Sequence, residues 1–199
     1  MRSPAKEQRE EQIAKAAYTL MEEKGFQGLS MLAVAKGAKA SNETLYRWYG
    51  DKSGLFRSLI QRNAKQVGDG LDAALDHGLP PRETLRALGP ELLSMLLSKR
   101  AIALNRAAAA DASNTLGAVL AEAGRGQIFP RITKLFEALV VAGDLQGPAQ
   151  SAAAIWVDLL VGDWQVRCVT GAMAVPDAPT QLARAHSAET LLFQLRGAD

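Results

Sequence analysis

Cysteine is almost missing from this chain: Cys168 is the only one in 199 residues. One thiol cannot build an intrachain disulfide framework, so stability has to come from packing. Cys168 reads as a small buried apolar residue rather than a redox sensor. Histidine is scarce too, with His77 and His186 far apart in sequence. They supply no metal-ligand spacing, and there is no nucleophile elbow, phosphate loop or His-Glu-x-x-His pair. The expectation is a protein that is not an enzyme and has no metal and no cofactor. No apolar run approaches 18 residues without a charge, which excludes a membrane-spanning helix. The N-terminal Met-Arg-Ser-Pro-Ala-Lys-Glu has no apolar core of the secretory kind. A cytoplasmic protein without a membrane partner is expected. Strand-like alternation, internal repeats and low-complexity tails are also lacking.

What is present is helix-forming and apolar. Hydrophobic residues make up 48% of the chain, too many for a disordered one. The net charge of +2 is unevenly placed. Residues 1–67 carry 12 Lys and Arg against 7 Asp and Glu, and the remainder 11 against 14. A basic head on a mildly acidic body suits contact with nucleic acid at one end.

Residues 30–56 are the most informative stretch. Ser30 is placed to cap a first short helix, on which Val34 and Ala38 share a face and Ala35 allows close approach. Lys39-Ala40 forms the turn. Ser41 is placed to cap a second helix, with Asn42, Glu43 and Thr44 in its first turn. Leu45 and Tyr49 read as core. Asn42, Glu43, Thr44, Tyr46 and Arg47 spread over the outer surface near the helix start. That is the layout of a helix-turn-helix, whose second helix enters the DNA major groove by its N-terminal end. Upstream, residues 7–24 read as an amphipathic helix with an Ile13, Ala17, Leu20, Met21 stripe, stopped by Gly25. Phe26 and Leu29 anchor the loop, and a helix over about 53–77 follows, starting with Leu55, Phe56, Leu59 and Ile60.

The string Thr44-Leu45-Tyr46-Arg47-Trp48-Tyr49-Gly50-Asp51-Lys52 resembles the signature of the TetR family of transcriptional regulators. The resemblance implies phosphate contacts for Thr44, Tyr46 and Lys52, and base contacts for Asn42, Glu43 and Arg47. Ser30, Lys39, Ser41 and Trp48 complete the candidate DNA-binding set. One departure stands out. The family often has glycine in the turn where this chain has Lys39, and a side chain there is strained if the position needs positive φ. Gly37, two residues earlier, is a candidate to relieve that strain.

The expected architecture is all-α. A helix-turn-helix DNA-binding domain covers residues 1–52, and an effector-binding and dimerisation domain covers 53–199. In the body, helices are expected over 82–99, split or kinked at Gly89-Pro90, then over 101–112, 113–123 and 128–142. Gly68 and Gly70 are expected to bend the long helix before them, and Gly124 and Gly126 to separate the later ones. The last two helices run from about Pro148 to Thr170 and from about Thr180 to Arg196. The run Arg131-Ile132-Thr133-Lys134-Leu135-Phe136-Glu137-Ala138-Leu139, with Gly143-Asp144-Leu145 and Ala152-Ala153-Ala154, is similar to the C-terminal domain of the AefR-like subgroup.

The family resemblance implies a homodimer joined through the last two helices. Trp156, Leu159, Leu160, Leu192 and Leu195 are the candidate interface residues; the alternative is that the apolar stripes of both helices are intramolecular core, and Trp156 and Leu160 suit either purpose. The resemblance also implies a ligand-responsive repressor of a palindromic, double-stranded operator. Met95, Leu96, Asn105, Arg106, Phe129, Trp156, Asp163 and Trp164 are candidates to line a site for a small apolar or amphipathic effector. A second reading stands beside it: a DNA-binding regulator without a small-molecule effector, controlled by a protein partner.

Overall fold

The computed structural model describes residues 4–197. Helices account for most of it: α1 (Pro4–Gly28), α2 (Met31–Gly37), α3 (Asn42–Tyr49), α4 (Lys52–Asp76), α5 (Pro81–Leu96) and α6 (Lys99–Ala109). Then come α7 (Thr115–Leu120), a π-helical turn (Ala121–Arg125), α8 (Gly126–Val141), α9 (Ala149–Val161), α10 (Trp164–Thr170) and α11 (Ala178–Arg196). Among the described residues there is no strand, only an isolated bridge between Leu145 and Gly197. No helix there is long and apolar enough to cross a membrane.

The chain divides into two compact units. One takes the chain up to Arg62 together with Ala103–Ala123; the other takes Asn63–Ile102 and the chain from Gly124 onward. The compact units are therefore discontinuous in sequence, unlike a single cut between residues 52 and 53.

The first unit closes around Ile13 and Ala17 of α1, Val34 of α2, Leu45 of α3, and Leu55 and Phe56 of α4. Leu104, Leu116 and Val119 join the same core. Phe26 meets Phe56 edge-on at 5.1 Å, and the Tyr18 hydroxyl donates to the buried Leu59 carbonyl at 3.3 Å. Arg62 ties α4 to α1 through Glu10 at 3.3 Å and Glu11 at 2.6 Å. Gly25 takes φ 65 and interrupts α1, as the helix-stop reading requires.

The second unit packs α5, α8, α9 and α11 around Leu93, Leu135, Phe136, Trp156, Leu160 and Leu192. Trp156 lies against Phe136 at 5.8 Å. A Cβ on Gly89 would sit 3.1 Å from that of Ala185, so the glycine permits the close approach of α5 and α11. Glu189, buried on α11, is paired with Arg86 at 3.1 Å, which a buried carboxylate needs.

Several expected breaks are absent. α5 runs unbroken through Pro90. The residue before it is Gly89, which has no Cβ to clash with the proline ring. α4 continues through Gly68 and Gly70; a Cβ on Gly68 would sit 3.3 Å from Ile128, so this glycine serves packing. Gly124 lies within the π turn and Gly126 opens α8, so neither interrupts the helical path. The opposite error occurs over 148–170. Gly162, at φ 49, separates α9 from α10, and Arg184 donates to the freed Leu160 carbonyl at 3.1 Å.

Candidate nucleic-acid interface

The two-helix motif is built as its caps dictate. The Ser30 hydroxyl accepts from the Ala33 amide at 3.1 Å. The Ser41 hydroxyl accepts from the Thr44 amide at 3.0 Å and shares a 2.8 Å hydrogen bond with the Thr44 hydroxyl. Both helix starts thus satisfy an orphan amide locally. Gly50, at φ 75, ends α3 with its amide on the Tyr46 carbonyl. Asp51 then caps α4 by accepting from the Gly54 amide at 2.7 Å.

Lys39 occupies the turn with φ 51, the positive value that the missing glycine foreshadowed. Gly37 does not share the strain. It lies inside α2, where an added Cβ would sit 3.2 Å from that of Ala16. Its role is the close approach of α1.

Only Leu45 of α3 is buried. Asn42, Glu43, Tyr46 and Arg47 are exposed, together with Ser30, Lys39 and Ser41 on the approach to the helix. Among the described residues no ion pair joins Glu43 to Arg47, so neither is neutralised by the other. Thr44, Trp48 and Tyr49 are half-buried. Trp48 and Tyr49 pack against the small core, with Lys6 over the Trp48 ring at 5.4 Å. Lys52 turns back toward the α1–α2 loop. Its ammonium lies 4.2 Å from the centre of the Phe26 ring and 3.5 Å from the Gln27 carbonyl. Partial burial pulls its pKa below the usual lysine value.

The second candidate set draws on residues of both compact units. Met95, Leu96, Phe129 and Trp164 are half-buried and pack on the core that contains Trp156. Met95 is the acceptor for Asn63 at 3.3 Å. Arg125 covers Phe129 at 4.6 Å and Arg184 covers Trp164 at 5.2 Å. Asp163 is exposed and pairs with Arg167 at 3.6 Å. Asn105 and Arg106 belong to the other compact unit.

The interface candidates need correction. Trp156, Leu160 and Leu192 are all 0% exposed within the single chain. They present no surface to a partner, because their side chains fill the core that holds α9 and α11 together. Leu159 is half-buried, and Leu195 is 63% exposed. The outward side of α9 and α11 instead holds a groove of about 340 Å³ lined by Ile155, Asp158, Leu159, Arg184, Ser187, Ala188 and Leu191. Ile155 and Leu191 are not among the sequence-based interface candidates, because each stands beside another apolar residue, Trp156 or Leu192, and the pattern alone does not say which of the two neighbours faces outward. Sequence reasoning also passed over Arg9, whose guanidinium reaches the motif's turn. Arg9 lies one turn before Ile13 on the α1 stripe, and a charge on an apolar stripe is the signal that could have found it.

Among the described residues no group of His, Cys, Asp and Glu side chains could hold a metal ion. The arrangement on α3 is a set of exposed donors and acceptors on a short, capped helix. That chemistry suits base edges and phosphates.

The comparisons agree with this geometry. Residues 13–59 match the model of bacterial regulatory proteins of the tetR family. Residues 83–194 match that of the AefR-like transcriptional repressor C-terminal domain. The chain belongs to the TetR family of bacterial regulatory proteins. It is similar to a TetR transcriptional regulator from Agrobacterium tumefaciens, at 30% identity over 100% of this chain and 97% of that one, with a TM-score of 0.76. The flavonoid-responsive regulator FrrA shares the fold at 23% identity, covering 96% and 97% of the two chains, TM-score 0.68. So does FadR from Bacillus subtilis, solved with stearoyl-CoA, at 14% identity, 92% and 96% coverage, TM-score 0.71. No curated protein matches this chain in sequence. Regulators of the family are DNA-binding proteins rather than enzymes; they bind DNA and small-molecule ligands, typically as dimers.

Proposed function

We propose that this protein is a repressor that holds a palindromic operator as a homodimer and releases it when a small apolar or amphipathic effector binds the second compact unit. The observation that carries the reading is the exposed polar start of α3, capped at Ser41 and braced by its core residue Leu45. Asn42, Glu43 and Arg47 face base edges; Thr44, Tyr46 and Lys52 contact phosphates, with Ser30, Lys39, Ser41 and Trp48 around them. Lys52 has to leave the Phe26 ring to do so.

A single motif of this kind reads few base pairs, and a dimer spans two half-sites about 34 Å apart. The dimer forms through the outward side of α9 and α11, with Ile155, Leu159, Leu191 and Leu195 as its apolar residues. The residues up to 52 act as the DNA-binding domain and those from 53 as the regulatory one. Met95, Leu96, Phe129, Trp156, Asp163 and Trp164 of the second compact unit are the effector-site residues. The stearoyl-CoA bound by FadR and the flavonoid response of FrrA support an effector with a large apolar part. A coupling of about 1–3 kcal/mol between the two ligands is enough for a 5–150-fold change in DNA affinity.

Selection of duplexes from a random pool by the purified protein tests the reading. The expected product is a palindrome whose affinity falls steeply with salt, each neutralised phosphate adding about −0.9 to the slope of log K against log salt. Equal affinity for a half-site and a full palindrome, or a flat salt response, would reject it.

A further inference from the structure

α2 ends in a Schellman arrangement. The Ala40 amide donates to the Ala35 carbonyl at 2.9 Å, and the Lys39 amide to the Lys36 carbonyl at 3.2 Å. In this arrangement the residue just past the cap is left-handed, and it is usually glycine. Here it is Lys39, at φ 51. A side chain in that conformation costs the equivalent of roughly five- to thirtyfold in an equilibrium constant. Nothing in Lys39 itself offsets this, since Lys lacks the short polar side chain that lets Asn or Asp visit the region.

The turn has an external brace. The Nη1 of Arg9 donates both to the Ala38 carbonyl at 3.3 Å and to the Lys39 carbonyl at 3.1 Å. These carbonyls lie at the negative end of the α2 dipole, where a guanidinium is favoured. Turning Lys39 to negative φ would swing its peptide plane and carry its carbonyl away from that nitrogen. Arg9 is half-buried and lies on the same stripe of α1 as Ile13 and Ala17, both in the core. The brace is therefore rooted in a packed helix.

We propose that Arg9 is a positioning residue: it holds the Lys39 turn in its left-handed conformation and so fixes the direction in which α3 leaves the turn. A glycine at position 39 would need no such hold. The functional half of this inference rests on the DNA-binding reading of α3. The hold itself is a property of the folded chain and can be measured without DNA.

The test uses four full-length proteins: the parent, Arg9→Met, Lys39→Gly and the double variant. Methionine keeps the packing of the stem and removes the donors. Each protein is melted, and each is titrated with the palindromic duplex that the parent selects from a random pool. Arg9→Met should weaken duplex binding about five- to thirtyfold and lower the melting midpoint by about 2–8 °C when Lys39 is present. In the Lys39→Gly background the same substitution should change binding by less than about twofold and the midpoint by about one degree. Comparison within each background cancels the lost Lys39 charge. Equal losses in both backgrounds would overturn the proposal, because a merely structural Arg9 acts regardless of residue 39. If the parent selects no duplex, the regulatory reading fails, and the melting cycle still decides whether Arg9 holds the turn.

Discussion

Helices α3 and α9 are both short segments with a strong apolar side, and they use their residues differently. α3 buries only Leu45 and leaves Asn42, Glu43, Tyr46 and Arg47 in solvent. α9 buries Ala152, Ala153, Trp156 and Leu160, and its largest side chain has no exposed surface at all. The first is a helix held by its caps, by Leu45 and by the half-buried Trp48 and Tyr49, with its exposed polar residues free to contact a ligand. The second is held by its packing, and its prominent residues are consumed by the fold. In the body, size and hydrophobicity therefore mark side chains buried in the single chain, whereas in the head the polar groups beside a cap stay exposed.

The sharpest break of this comparison is Trp156→Ala. If Trp156 is core, truncation should cost about 3–5 kcal/mol in urea unfolding with or without a partner. A loss under about 1 kcal/mol with dissociation of the dimer would return it to the interface. Next comes Leu195→Glu on the exposed side of α11. It should leave the helical content unchanged and weaken the dimer by about 2 kcal/mol or more, seen as monomer in sedimentation. Unchanged sedimentation would place the partner surface elsewhere.

Arg47→Ala probes the head. A lost bidentate base contact should relax preference at one position per half-site by about 1–3 kcal/mol while the melting midpoint stays put. A uniform loss across all sequences would assign Arg47 to phosphate instead. Ser41→Ala should cost about 1 kcal/mol of stability by removing the α3 cap, measured by denaturant unfolding. It marks how far α3 depends on its ends.

The smallest effect is a pH dependence at the start of α11. Thr180, through its side chain and its amide, holds the Asp177 carboxyl below the usual carboxylate range. A depressed folded-state value means stability that is present above the unfolded pKa and lost as pH falls through the folded one. The stability of the parent relative to Asp177→Asn, which keeps a cap without the charge, should be greatest near pH 7 and shrink toward about pH 3. A constant difference would remove the carboxylate from the account.

The head was legible in the sequence because its signals are local. A cap is a serine and an amide three residues on, so Ser30 and Ser41 can be read without knowing the fold. The strain at Lys39 could be anticipated for the same reason, as a residue type set against a backbone conformation. In the body, Gly68, Gly89 and Gly124 looked like breaks because glycine has a low helix propensity. Packing overrode that at Gly68 and Gly89, where a missing Cβ lets another helix come close.

The sequence by itself determined that the chain is helical, that a capped two-helix motif lies in its first quarter, and which family it joins. Each follows from patterns that span a few turns or from a linear string of residue types. The tertiary structure alone decided which apolar residues are spent inside, as with Trp156, Leu160 and Leu192. It also decided that Arg9 meets a turn about thirty residues further on and that residues 103–123 pack with the head. Such pairings depend on where separate helices come to lie, and hydrophobic burial, being non-directional, leaves that choice to the packing of the whole chain.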